Sequence, residues 1–166
     1  VCANAATFTA GSENATAGNV VSVPITVAPS AGETSTDVNA YAIAISYDSS
    51  VLTPVVKGTD EVGDNTYATV GDSFNSGVLT ADLKDNETGN DEVLIGWAAA
   101  SPVNVTEAST LATVDFTVNA NATGSTDVKV AVAQVANSDS ALADKSTIEA
   151  ASGTVTVVTA ILYGDA

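Results

Sequence analysis

Five carboxylates crowd into one short stretch of the chain, at Asp82, Asp85, Glu87, Asp91 and Glu92. Two carboxylates at a suitable separation are enough to hydrolyse a glycosidic bond. A hydrolase cleft also needs aromatic platforms for sugar rings, and the chain offers one Trp and four Tyr. Trp97 sits at strand spacing from Val93 and Ile95, which places it in a core rather than in a cleft. Calcium is the second chemistry that oxygen-rich segments suggest. The runs Asp60-Glu61…Asp64 and Asp85 to Asp91 lack the D-x-[DN]-x-[DN]-G order of a calcium loop and read as solvated turns. With no His and a lone Cys2, zinc ligation, a Ser-His-Asp or Cys-His system and an internal disulfide are all excluded. N-x-[ST] sequences begin at Asn14, Asn86, Asn104 and Asn121, and a chain this rich in Thr and Asn produces them by chance. The chemistry points away from catalysis.

Charge narrows the partners. Four Lys, no Arg and 20 acidic residues leave a net charge of −16. Nucleic acid is repelled, because its binding rests on neutralising phosphates with Lys and Arg. An anionic membrane surface is disfavoured for the same reason, and no apolar run approaches the 18 residues of a membrane span. Self-repulsion of this size suits a monomeric, secreted bacterial protein, with a basic partner as the steering alternative. Residues 1–5 hold a small-residue Ala3-Asn4-Ala5 pattern, expected to be either the remnant of an export signal or a lead-in to the first strand.

The elements that position these residues are strands. A length of 166 residues with 45% hydrophobic content suits one domain, and Val, Thr, Ile, Gly and Asn favour strands and turns. Tyr41, Ile43, Ile45 and Tyr47 alternate with Ala42, Ala44 and Ser46, so one face is buried and the other carries only small side chains. The turn Asp48-Ser49-Ser50 leads to a short strand, Val51 to Val56. Earlier, Thr7-Phe8-Thr9 and Val20 to Val27 read as a hairpin, with Pro24 expected at a sheet edge or bulge. Residues 28–38 read as a polar loop and residues 58–77 as an aperiodic excursion capping one end of a sheet. Val78 to Lys84 alternates, with Thr80, Asp82 and Lys84 opposite Leu79, Ala81 and Leu83. Val93 to Ala100 is apolar on both faces and so needs a second covering surface. Thr110 to Val118 and Val128 to Val135 alternate again, residues 137–146 read as a loop with room for one helical turn, and Gly153 to Ala160 closes the chain. Eight or nine evenly spaced strands without a long helix predict an antiparallel sandwich.

The order of these pieces resembles the cohesin domain over residues 6–159. Tyr47-Asp48 through Leu52 follows a strand as in that family. Val20 to Val27 after Gly18-Asn19 is similar to its G-D-x-V-x-V-P-V segment. Thr110 to Val118 with Gly124 to Val130 is similar to a late paired unit, and Gly153 to Val157 to its final strand. The resemblance implies an all-β, nine-stranded antiparallel β-sandwich with jelly-roll topology. It also implies a non-catalytic role, docking a calcium-loaded dockerin of an enzyme or another scaffoldin in a cellulosome, extracellular or attached to the cell surface. No cofactor is implied on this chain, since calcium belongs to the dockerin.

In cohesins one flat sheet receives the dockerin, and the matching strands here fall near 127–135, 40–47, 92–99 and 78–85. The implied binding residues are Ala40, Ala42, Ala44 and Ser46 on one strand, and Leu94, Gly96 and Ala98 on the next. Thr80 and Asp82 stand on a third strand, and Lys129, Ala131 and Ala133 on the last. Ala40 and Ala42 stand where many cohesins carry Asn and Asp, which implies a more apolar interface. The acidic cluster described first is expected to form its rim. Residues 160–166, ending Leu162-Tyr163-Gly164-Asp165-Ala166, are similar to a dockerin start and read as a linker or the beginning of one. A carbohydrate-binding β-sandwich is the alternative, and it requires exposed aromatics on a sheet face.

Overall fold

The computed structural model describes residues 6–59, 62–84, 90–136 and 148–158. The chain opens with β1 (Ala6–Ala10), β2 (Glu13–Thr16) and β3 (Val20–Pro29), followed by the long β4 (Thr36–Asp48) and the short β5 (Leu52–Pro54). The excursion that follows holds β6 (Gly58–Thr59), β7 (Asn65–Thr66), β8 (Thr69–Val70) and one 3-10 turn, Asp72–Phe74. Then come β9 (Val78–Lys84), β10 (Asn90–Val105), β11 (Ser109–Val118), β12 (Gly124–Ala136), β13 (Ile148–Ala151) and β14 (Gly153–Val158).

Two sheets face each other. One runs β13-β1-β3-β11-β5, with β8 also on β11; the other runs β2-β14-β12-β4-β10-β9. Strand alternation decides what lies between them. Val23, Ile25 and Val27 of β3 and Val114, Phe116 and Val118 of β11 are buried from one side, Ile43 and Ile45 of β4 and Val93 and Ile95 of β10 from the other. Aromatic rings fill both ends of this core. Tyr41 stacks on Trp97 with centroids 5.7 Å apart, and Phe74 meets Trp97 edge-on at 5.1 Å. Tyr47 and Phe116 join the sheets at the other end, 5.2 Å apart. Phe74 reaches the core from the 3-10 turn, while β8 pairs with β11 and the Tyr67 amide donates to the Ala81 carbonyl of β9, so the described part of the excursion is tied to both sheets.

Four details depart from the sequence reading. The pairings β1 with β13 and β2 with β14 are parallel, whereas the interior pairings are antiparallel. These pairs join the two ends of the chain, so no hairpin imposes an antiparallel direction. Both end segments also switch sheets together, β1 into β2 at Gly11 and β13 into β14 at Gly153. A Cβ on Gly153 would collide with the backbone carbonyl of Gly11, so the crossing needs glycine there. Pro24 lies inside β3, with strands on both sides rather than at an edge. Its carbonyl accepts from the Gly11 amide at 2.8 Å where β1 bends away, so its missing N–H falls at the end of that pairing. The expected polar loop at 28–38 is shorter, because β4 begins at Thr36 and pairs with Val105 of β10. Finally, β13 is a strand the sequence reading did not expect; the loop expected at 137–146 falls outside the described residues along with residues 1–5 and 159–166.

Candidate protein-binding face

The outward side of the β12-β4-β10-β9 portion is set by register. Opposed residues form rows across the four strands, and side chains two apart on one strand share a face. The first row is Lys129, Ser46, Glu92 and Lys84; the second is Ala131, Ala44, Leu94 and Asp82. Gln134, Ala42, Gly96 and Thr80 make the third, and Ala136, Ala40, Ala98 and Val78 the fourth. The structure therefore brings Ala40, Ala42, Ala44, Ser46, Thr80, Asp82, Leu94, Gly96, Ala98, Lys129 and Ala131 onto one surface. The alanines of β4 are half-buried between their neighbours, whereas Ala98 and Ala131 are exposed.

The face has a polar end and an apolar end. Lys84 lies 3.9 Å from Glu92 in the first row, and Lys129 stands across Ser46 from them. Beyond that row, Asp48 closes β4 with a turn in which its Oδ1 accepts from the Ser50 hydroxyl at 2.6 Å and the Ser50 amide at 2.9 Å. Those hydrogen bonds hold its carboxyl below the usual carboxylate range. At the opposite end Val78 is 73% exposed beside Ala98. There β10 bulges between Ala98 and Val103, and the Asn39 amide donates to the Ala99 carbonyl at 2.8 Å across the gap.

Between the ends lies a hollow of about 300 Å³, lined by Ala42, Ala44, Leu94, Gly96, Thr80, Asp82 and Ala133. It exists because the central position of the third row has no side chain. Ala133 reaches it through a second bulge, between Val132 and Gln134 on β12. Two consecutive residues, Ala133 and Gln134, are consequently exposed.

The sequence reading left four residues of these rows out of the binding set: Lys84, Val78, Gln134 and Ala136. Val78 and Lys84 have the same parity as Thr80 and Asp82, and alternation alone could have found them. Gln134 could not have been found that way, since the bulge that turns it outward breaks the alternation. Among the expected rim residues, Asp82 and Glu92 occupy the face, Asp91 lies at the inward parity of Val93, and Asp85 and Glu87 fall outside the described residues. The calcium candidates at Asp60, Glu61 and Asp85 fall outside as well. Among the described residues no group of three or more His, Cys, Asp or Glu is placed to hold a metal ion.

Aromatic side chains contribute nothing to this surface among the described residues. Trp97 is 3% exposed, and its indole donates to the Phe74 carbonyl at 2.8 Å. Tyr41 and Tyr47 are also buried, on the inner side of β4. A carbohydrate-binding sheet lacks its platform here.

Comparison with known proteins bears on the whole fold. The chain superimposes on the solution structure of CaCohA2 from Clostridium acetobutylicum with a TM-score of 0.62 at 23% identity, covering 94% of this chain and 92% of that one. It matches the Coh-OlpA–Doc918 complex, a type I cohesin–dockerin complex from Clostridium thermocellum, with a TM-score of 0.67 at 14% identity, over 93% and 100% of the two chains. A non-cellulosomal cohesin from the archaeon Archaeoglobus fulgidus gives 0.59 at 15% identity over 92% and 91%. At these identities the superpositions speak for the fold. No curated protein is matched by the sequence. The family model of the cohesin domain matches residues 6–157, from the first strand of the sandwich to the last, and the chain belongs to the cohesin family.

Proposed function

We propose that this domain is a non-catalytic docking module. Its outward β12-β4-β10-β9 face receives a calcium-loaded dockerin, so that an enzyme or another scaffoldin is held on a scaffold in an extracellular cellulosome. Family membership over residues 6–157 supports this reading, as do neighbours such as the complex from Clostridium thermocellum. The observation that carries it is the surface itself: beyond a polar first row, the four strands present mainly Ala, Gly, Leu and Val where a water-facing sheet presents polar side chains. Small residues let helix backbones approach closely, and a contiguous apolar patch marks a contact surface. A specific complex of this kind buries on the order of 1,200–2,000 Å². Calcium is assigned to the dockerin, and no cofactor is assigned to this chain.

Titration calorimetry against a panel of recombinant dockerins tests the reading. At least one dockerin should bind in calcium with a sub-micromolar Kd, and EDTA should abolish that binding. The melting temperature of this domain alone should not change with EDTA. Failure of every dockerin to bind, or a large fall in melting temperature on chelation, would overturn the assignment.

A further inference from the structure

We infer that the hollow over Gly96 seats one branched aliphatic side chain of the docked dockerin, with a Lys or Arg of the same helix meeting Asp82. The inference rests on the docking reading and adds to it where recognition is decided and by what chemistry. Gly96 occupies the middle of the third row, between Ala42 on β4 and Thr80 on β9. A Cβ built on it would lie 3.2 Å from the Thr80 hydroxyl, and nothing else comes within 4 Å. That contact is tight, so the Thr80 side chain must give by a few tenths of an ångström before any larger residue stands here, and the rest of the position is open space that glycine leaves above the sheet. Leu94, 39% exposed, forms a wall on one side, and the β12 bulge delivers Ala133 to the other.

The lining chooses the occupant. Alanine methyls, the Leu94 side chain and the bare backbone at Gly96 suit an aliphatic group that reaches the sheet. Polar atoms from side chains enter only at one margin, from Thr80 and Asp82. Asp82 is exposed and makes no ion pair among the described residues, whereas the neighbouring Lys84 turns to Glu92. In a chain of net charge −16, a carboxylate left beside an apolar hollow is matched by a cation from the partner. Filling the hollow removes the partner's anchor, and reversing the charge at Asp82 removes its electrostatic match.

The test uses a dockerin that binds the wild-type chain in calcium. Gly96→Leu should weaken binding at least 50-fold, and Asp82→Lys about tenfold with the salt dependence of the association rate reduced or inverted. Thr26→Leu on the opposite sheet should leave the affinity unchanged. Melting curves should show each variant folded, because Gly96, Asp82 and Thr26 all point away from the core. Truncating the dockerin's aliphatic residue should cost far less against Gly96→Leu than against wild type, which assigns the occupant. Binding of Gly96→Leu within twofold of wild type would overturn the hollow while leaving the docking reading intact. Absence of binding by any dockerin to the wild-type chain would instead remove the reading on which the hollow rests.

Discussion

The two outer faces of the sandwich are built from strands of the same kind, yet they carry opposite surfaces. On the β1-β3-β11 side the outward positions include Thr7 and Thr9, Ser22 and Thr26, and Thr113, Asp115 and Thr117, with Val20, Pro24 and Ala28 of β3 as the apolar members. Asp115 is paired with Lys57 at 2.7 Å. Its hydroxyls and charges meet water, as expected for a sheet with one solvated side. On the β12-β4-β10-β9 side Ala, Gly, Leu and Val fill most positions beyond the first row, interrupted by Asp82, Thr80 and Gln134, and the remaining charges gather at one end. The inner faces of both sheets are predominantly apolar and follow the same rule. The function of such a domain is therefore written in the outward parity of its strands, while the core describes only the sandwich.

The sharpest way to break this comparison is to exchange the character of the two faces. Ala42→Asp places a charge mid-patch and should weaken dockerin binding more than 100-fold, with a melting temperature within a few degrees of wild type. Thr9→Asp, the equivalent change on the solvated face, should alter neither quantity measurably. Equal losses from both, read by calorimetry, would show that the faces are not functionally distinct.

A smaller effect concerns what lies beneath the candidate face. The Tyr41 hydroxyl is buried and finds no hydrogen-bond partner among the described residues, and burial pushes it far above the usual phenol range. Tyr41→Phe keeps the stack on Trp97 while removing an unmatched polar group. Stability in urea should hold or rise by up to about 1 kcal/mol. A loss well beyond that would mean the hydroxyl has a role in the fold.

The smallest effect belongs to the solvated face. Burial raises the Asp115 carboxyl, but the Lys57 and Ser22 hydrogen bonds and the Lys57 charge outweigh it, so the net shift is downward. A carboxylate depressed in the folded state contributes stability above its unfolded value of about 4, and loses it as pH falls through the folded value. Asp115→Asn should therefore cost at most about 1 kcal/mol near neutral pH, the range of partly exposed ion pairs. Its denaturation midpoint should converge on that of the wild type in acid. A gap that persists unchanged at low pH would indicate lost packing rather than lost charge.

The sequence made a good part of this legible. Alternation at Tyr41–Tyr47, Val93–Trp97 and Thr113–Val118 assigned inner and outer sides correctly, because a one-residue slip would bury the wrong set. The outward alanines of β4 and the double apolarity of β10 were visible for the same reason. Where alternation failed, so did the reading. Gln134 was hidden by a bulge, β13 by its brevity, and the parallel end pairings by the length of chain between the partners. By itself, then, the sequence determined which residues face inward and that a small-residue surface exists, since period-two patterning is local physics. Only the tertiary structure decided which strands lie side by side, and hence that Gly96, Ala42, Thr80 and the bulged Ala133 enclose one hollow. Register between distant strands is settled by packing the whole core at once.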